Sequence, residues 1–153
     1  MGYFFGSMYC WFEDLFGIDL ANYLWGQATE LQTTNMFMSI GLWMLAISLG
    51  FSIIYYYVWN PSKSYWWKWL IFLCVNAAIN FIFGWQRTLS DYYADLMKYS
   101  VVKNGKEIWL NLNISDVDCV SFGVANMILS IMWFFLISCA IKWWSCGNSH
   151  CPF

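Results

Sequence analysis

Four aspartates in the second half of the chain have the type and spacing that acid–base chemistry or cation binding would require. Asp91 and Asp95 are one helical turn apart in the segment Asp-Tyr-Tyr-Ala-Asp, and Asp116 and Asp118 follow in the same polar stretch. Paired carboxylates can exchange protons with a substrate or hold a divalent cation. These residues are the first candidates for a chemical site.

Basic residues at helical spacing explain the same pair without chemistry. Arg87 precedes Asp91 by four residues, and Lys98 follows Asp95 by three. Exposed ion pairs at these spacings stabilise a helix by a few tenths of a kcal/mol. We therefore expect ordinary helix ion pairs here and no catalytic residues.

The cysteines offer a second candidate site, near the C-terminus. Cys146, His150 and Cys151 cluster there with the only histidine of the chain, and zinc prefers thiolate and imidazole ligands. Three ligands leave a tetrahedral site incomplete, and the six cysteines contain no CxxC pair. The metal site is one hypothesis, acylated or reduced thiols are the alternatives, and no cofactor is expected. A disulfide between Cys10 and Cys119 would need an oxidising compartment.

Small and polar side chains recur at helical spacing inside two apolar segments. Their members are Asn76, Asn80 and Gly84 on one helix face, and Gly123, Asn126 and Ser130 on another. Small residues let membrane helices approach closely, and asparagines hydrogen-bond across them for roughly 0.6 to 2 kcal/mol each. We predict that these faces form helix interfaces. The alternative is that, in a ring of protomers, they line a pore for water or small ions.

Three long uncharged segments must position these side chains. Residues 31–62, 69–86 and 119–141 contain no Asp, Glu, Lys or Arg, and about 20 apolar residues cross the ~30 Å hydrocarbon core. The chain is 61% hydrophobic and 10% charged, against about 25% charged in soluble domains. The sequence therefore predicts an all-α integral membrane protein with transmembrane helices at 36–59, 65–85 and 119–141.

The two ends of the chain receive separate predictions. Residues 1–30 are rich in aromatic side chains, and Glu13, Asp14 and Asp19 scatter around a helical wheel instead of forming one polar face. We predict an interfacial or re-entrant helix packed against the bundle, with a fourth full span as the alternative. We predict that residues 142–153 form a C-terminal tail. With no separate soluble domain predicted, the whole chain is expected to form one membrane domain.

The polar loop at 86–118 predicts a short helix followed by a hairpin. The helix covers 90–99 and continues from the second span or follows it. Asn104-Gly105 then lies between alternating apolar residues, which indicates an extramembrane β-hairpin with a two-residue turn. Ser115, with Asp118 three residues later, resembles a capping box at the start of the third helix.

Three spans would put the 61–68 turn and the C-terminus on one side of the membrane. That side carries Lys63, Lys68 and Lys142 and no acid, whereas all nine carboxylates lie on the other side. Lys and Arg count three against four, so basic residues alone do not decide the orientation. We favour an outer N-terminus and an inner C-terminus in an inner or plasma membrane. Six tryptophans would form one interfacial belt: Trp59, Trp66, Trp67, Trp69, Trp143 and Trp144.

These patterns favour a membrane subunit over an enzyme. The net charge of −2 and the scattered basic residues argue against nucleic acid as a partner. We expect a non-enzymatic membrane subunit or anchor, in contact with lipid, that forms a homo-oligomer or a hetero-complex with other membrane subunits. A homo-oligomeric pore or membrane-perturbing effector is the second hypothesis, and a membrane enzyme the third.

Overall fold

The fold is given by a computed structural model, which describes residues 2–28, 34–59, 66–103 and 106–144. The described part is mostly helical with one small antiparallel sheet. The elements in chain order are α1 (Gly2–Cys10), α2 (Glu13–Phe16), α3 (Ile18–Trp25), α4 (Met36–Ile53) continued by a π-helix (Ile54–Trp59), α5 (Trp66–Tyr93), β1 (Lys98–Lys103), β2 (Lys106–Asn111) and α6 (Asp116–Trp144). The predicted turn pair Asn104-Gly105 and the metal candidates Cys146, His150 and Cys151 lie outside the described residues.

Three of these helices are long and apolar enough to cross a membrane, as the sequence predicted. They cover Met36–Trp59, Trp66–Tyr93 and Asp116–Lys142. At 1.5 Å rise per residue, each is longer than the ~30 Å hydrocarbon core. The first begins at Asn35, whose side chain accepts a hydrogen bond from the amide of Met38 at 3.2 Å.

The second long helix ends later than the predicted residue 85. The helix predicted over 90–99 is present as a continuation of this helix as far as Tyr93 and is wrong beyond it. α5 continues to Tyr93 because nothing between Gln86 and Tyr93 breaks a helix. Asp95 then takes a left-handed conformation with φ 60°, which turns the chain. From Lys98 onward the backbone is a β-strand.

The last six residues of the first long helix are wound as a π-helix, Ile54–Trp59. Tyr55 and Tyr56 are both buried there although they are neighbours in the sequence, and their rings meet edge to face at 5.0 Å. Tyr55 also packs on Phe72 of α5. The pattern of apolar residues in the sequence gave no sign of this widened turn.

The helices α5 and α6 lie antiparallel along most of their length. Trp69 donates to the hydroxyl of Ser138 at 3.2 Å near one end, and Gly123 packs on Trp85 near the other. Asn80 and Asn126 meet between these two points. Residue numbers thus rise along α5 as they fall along α6.

The N-terminal segment is three short helices that pack into the core, and not the single helix that was predicted. Gly17 and Gly26, with φ 87° and 75°, separate and end them. The buried side chains of this segment are Phe5, Tyr9, Phe16, Leu20, Ala21, Tyr23 and Leu24.

The first of these helices packs against α4 and reaches α6 through aromatic side chains in the middle of the bundle. Phe4 contacts Trp133 with ring centroids 6.3 Å apart, and Tyr9 contacts Phe122 at 5.3 Å. α1 has 9 residues, about 13 Å of helix, so it is too short to be a fourth span. It enters the bundle as a half-length helix.

The predicted hairpin is present as a two-stranded antiparallel sheet between α5 and α6. Lys103 pairs with Lys106, and Lys98 with Asn111 at the other end. The predicted capping box also forms: the amide of Ser115 donates to the carboxylate of Asp118 at 2.8 Å, and the amide of Asp118 to the hydroxyl of Ser115 at 3.4 Å.

Candidate functional site

A chain of hydrogen bonds between buried side chains runs through the middle of the bundle. The hydroxyl of Tyr9 donates to Oδ1 of Asn126 at 2.5 Å, and Nδ2 of Asn126 donates to the backbone oxygen of Asn80 at 2.7 Å. Nδ2 of Asn80 donates to the backbone oxygen of Asn76 at 3.0 Å, and Nδ2 of Asn76 to that of Ser130 at 3.4 Å. All five residues are fully buried. These hydrogen bonds link α1, α5 and α6.

Two glycines allow α5 and α6 to come close enough for these bonds. A Cβ on Gly84 would lie 3.0 Å from both Cβ and Nδ2 of Asn126. A Cβ on Gly123 would lie 3.1 Å from the backbone oxygen of Phe81 and 3.0 Å from Cβ of Trp85. All of these distances are tighter than ordinary van der Waals contact, so a larger residue at either position would force the facing atoms to move by a few tenths of an ångström.

All six residues predicted as helix-interface or pore-lining lie at one contact, between α5 and α6 of the same chain. Asn76, Asn80 and Gly84 come from α5; Gly123, Asn126 and Ser130 come from α6. The asparagines and the serine are fully buried. Each face covers the other, so neither is open to a second copy unless these helices separate.

Four buried side-chain polar atoms have no partner among the described residues. They are Oδ1 of Asn80, the hydroxyl oxygen of Ser48 on α4, and Nε1 of Trp85 and of Trp133. Ser48 is one turn beyond Met44, whose sulfur lies 4.0 Å from the hydroxyl of Tyr9. In hydrocarbon such atoms find a partner only inside the protein or in an internal water.

Tyr9 is the member of this site that reasoning from the sequence missed. It stacks on Phe37 at 5.1 Å and packs against Phe122 at 5.3 Å. Burial raises the pKa of its phenol above the ordinary value, so the hydroxyl keeps its proton and acts as a donor. The sequence contained no signal for this role, since Tyr9 is one of many aromatic residues in its segment.

A second polar cluster holds the N-terminal segment to the far end of α5. Oδ2 of Asp91 accepts a hydrogen bond from the hydroxyl of Tyr23 at 3.2 Å, and its Oδ1 lies 3.2 Å from Nη1 of Arg87. Asp91 is 4% exposed. Burial, and next the carboxylate of Asp91, raise the pKa of Tyr23, while the charge of Arg87 opposes the shift.

The four candidate aspartates do not form one group. Asp91 is buried, whereas Asp95 is exposed beyond the helix end and pairs with Lys98 at 2.6 Å. Asp118 serves the capping box, and Asp116 accepts a hydrogen bond from Tyr93 at 3.5 Å. Both expected ion pairs of the Asp91 and Asp95 segment form, but the carboxylate of Asp91 is buried while its partner Arg87 is half exposed.

Two clefts flank the hairpin. One of about 400 Å³ is lined by Tyr92, Tyr93, Asp95, Met97, Asn111, Leu112 and Ile114. The other, of about 600 Å³, lies between α3 and the hairpin, and its lining includes Asp19, Asn22 and Tyr99. Among the described residues, no three His, Cys, Asp or Glu side chains are placed to hold a metal ion. Cys10 and Cys119 are free thiols.

Comparison with known proteins adds no relative. No protein-family model, curated protein or solved structure matches this chain.

Proposed function

We propose that the chain is an integral membrane protein that crosses the bilayer three times. Large apolar side chains are exposed along the long helices, and lipid is the solvent that such a surface requires. On α4 they include Leu42, Trp43 and Leu49, and on α5 they include Ile71 and Ile82, each 43–58% exposed. In water, these side chains would favour aggregation.

We further propose that it acts as a non-enzymatic membrane subunit or anchor, assembled with copies of itself or with other membrane subunits. The observation that carries this proposal is the bonding of Asn126, whose side chain bridges Tyr9 and Asn80 inside one chain. Polar groups in mid-bundle are thus used to hold helices together. No Asp, Glu, Lys or Arg occurs between residues 119 and 141 to relay protons or bind a charged substrate.

One observation favours the alternative, a homo-oligomeric pore. Oδ1 of Asn80 and the hydroxyl of Ser48 lack a partner among the described residues, and water in a conducting path would hydrogen-bond to both. An internal water at each atom would also satisfy it without any conduction, so the pore stays the second candidate.

Extraction and conductance separate these functions. Membranes that contain the chain are washed at alkaline pH, and the purified particle is then weighed and reconstituted into liposomes. A membrane subunit stays in the pellet and leaves the liposomes tight to small ions. Release into the wash would refute the membrane assignment, and ion flux that scales with the amount of protein would favour the pore.

Thiol labelling tests the three-span arrangement and its orientation. Single cysteines replace Lys68, Lys106 and Lys142 in a chain whose six native cysteines are changed to alanine. An impermeant reagent on intact cells should label position 106 from outside, whereas positions 68 and 142 should need permeabilised cells. Labelling of 68 and 142 on opposite sides would contradict three spans.

A further inference from the structure

One face of the hairpin is apolar and only its base is covered by the described chain. The strand register pairs Tyr99 with Leu110, and Ile108 is two residues before Leu110 on β2, so these three residues share one face. Lys106 is two residues nearer the tip and lies on the same face. We call this surface the hairpin face.

The hairpin face continues the protein core outward. Met97 at its base is 5% exposed, because it is part of the main apolar cluster. Further out, Ile108 and Leu110 are 43% and 44% exposed. A two-stranded hairpin in water is marginally stable by itself, so an apolar face that continues the core is suited to packing on a further surface.

The N-terminal segment carries a surface of complementary character at the same end of the molecule. Asp14, Leu15 and Ile18 are exposed, the last two by 48% and 63%. We call these three residues the acidic patch. Residues 2–28 include three acids, among them Asp14, and no Lys or Arg. Among the described residues, no Lys or Arg lies within salt-bridge distance of Asp14.

Within one chain the two surfaces remain apart. Neither α2 nor α3 packs closely on the hairpin strands, and an open cleft of about 600 Å³ lies between α3 and the hairpin. Lys98, the basic residue at the base of the hairpin, already pairs with Asp95. The charge of Lys106 and the apolar pair Ile108 and Leu110 are therefore available to a neighbouring molecule.

We infer that the hairpin face of one copy docks on the acidic patch of a second copy. The inference deepens the proposed function and rests on it, since both surfaces lie at the same end of a membrane-held bundle and would meet side by side. Ile108 and Leu110 would pack on Leu15 and Ile18, with Lys106 beside Asp14. The contact is head-to-tail, so it closes into a ring or extends as an open array.

Photo-crosslinking and charge reversal test this contact. p-Benzoylphenylalanine replaces Ile108 in the full chain, in native membranes, and the crosslinked products are mapped by mass spectrometry. The expected product has twice the mass of one chain and joins position 108 to residues 11–19. The control carries the same group at Ile82, which is 46% exposed on α5 and should crosslink mainly to lipid.

Charge reversal must then weaken and restore the same product. Lys106→Glu should lower its yield about fivefold, and adding Asp14→Lys to Lys106→Glu should restore it. A crosslink within a single chain, a crosslink from position 108 to lipid or to a different protein, or a yield unaffected by Lys106→Glu would each overturn the inference. Alkaline extraction of the same membranes keeps the two proposals separate: a chain that stays in the pellet without this crosslink refutes only the docking contact.

Discussion

The hydroxyl of Tyr9 lies 2.5 Å from Oδ1 of Asn126, a residue 117 positions further along the chain. This bond fastens a half-length N-terminal helix to the middle of the longest helix of the bundle. Asn126 can then turn its Nδ2 toward the backbone oxygen of Asn80. The orientation of the Asn126 amide is thus decided by two different parts of the chain. Substitutions at either Tyr9 or the α5 side of the contact should therefore change the stability of the protein.

Tyr9→Phe should destabilise the protein by about 1 to 2 kcal/mol. The substitution leaves Oδ1 of Asn126 buried without its donor, and neither lipid nor packed side chains can replace it. The free energy of unfolding is measured by titrating SDS into mixed detergent micelles. Tyr3→Phe is the matched control, because Tyr3 is 84% exposed. Equal stability of the two variants would show that the bond contributes nothing.

Gly84→Ala and Gly50→Ala should have opposite effects on stability. The new methyl at position 84 meets Asn126 at 3.0 Å, and Asn126 is held on both sides by hydrogen bonds; we expect a loss of about 1 to 3 kcal/mol. At Gly50 the methyl meets nothing within 4 Å, and alanine favours the helix by about 0.5 to 1 kcal/mol. The same SDS titration measures both. A tolerated alanine at position 84 would contradict the close approach of α5 and α6.

Asp91→Asn should cost more stability than Asp95→Asn. The Asp91 side chain is 6% exposed and bonds to Tyr23 and Arg87, whereas that of Asp95 is 72% exposed. In Asp91→Asn the amide NH₂ would face the hydroxyl of Tyr23 or the guanidinium of Arg87, both of which donate in the wild-type protein, and we expect a loss of about 1 to 2 kcal/mol in stability. An exposed ion pair such as that of Asp95 contributes only about 0 to 1 kcal/mol. Asparagine also tolerates the left-handed backbone at position 95. Equal losses would argue against the buried cluster.

Stability should fall with rising pH above about pH 10. The pKa of Tyr23 is raised above its ordinary value of 10.0 in the folded chain, chiefly by burial and then by the carboxylate of Asp91. Below pH 10 both states hold the proton. Above it the unfolded chain loses the proton first, so unfolding becomes easier by at most about 1.4 kcal/mol per pH unit for one tyrosine.

The measurement is the free energy of unfolding between pH 8 and pH 11 for the wild-type chain and for Tyr23→Phe. Tyr23→Phe should be less stable at pH 8, because it lacks the hydrogen bond to Asp91. Its free energy of unfolding should fall less steeply with rising pH than that of the wild-type chain. Tyr9, whose pKa is also raised by burial, contributes to the decline in stability that remains in the variant. Parallel curves for the two chains would rule out titration of Tyr23 as a cause.

Local patterns were sufficient to predict most of the elements. The three apolar helices follow from long uncharged segments, and the hairpin from alternating apolar residues around a turn pair. The capping box of Ser115 and Asp118 depends on two residues three positions apart. Each of these features is decided within a few residues of the chain, and a single sequence contains that information.

The end of α5 was harder to predict, because the two acids near it differ only in what the fold places around them. Asp91 and Asp95 look alike in the sequence, but one is the last buried acid of a helix and the other takes the left-handed turn that ends it. Helical spacing alone treats them as a pair. Burial against Tyr23 is what separates their roles, and Tyr23 is 68 residues away.

The sequence by itself determined that three apolar helices form, and that Asn76, Asn80 and Asn126 lie on faces that small residues share. Only the tertiary structure decided what those faces meet: each other within one chain, with Tyr9 inserted from a short N-terminal helix. The physical reason is that helix periodicity is a local property of the backbone, whereas a buried amide takes its partner from whichever distant segment excludes lipid and water from it.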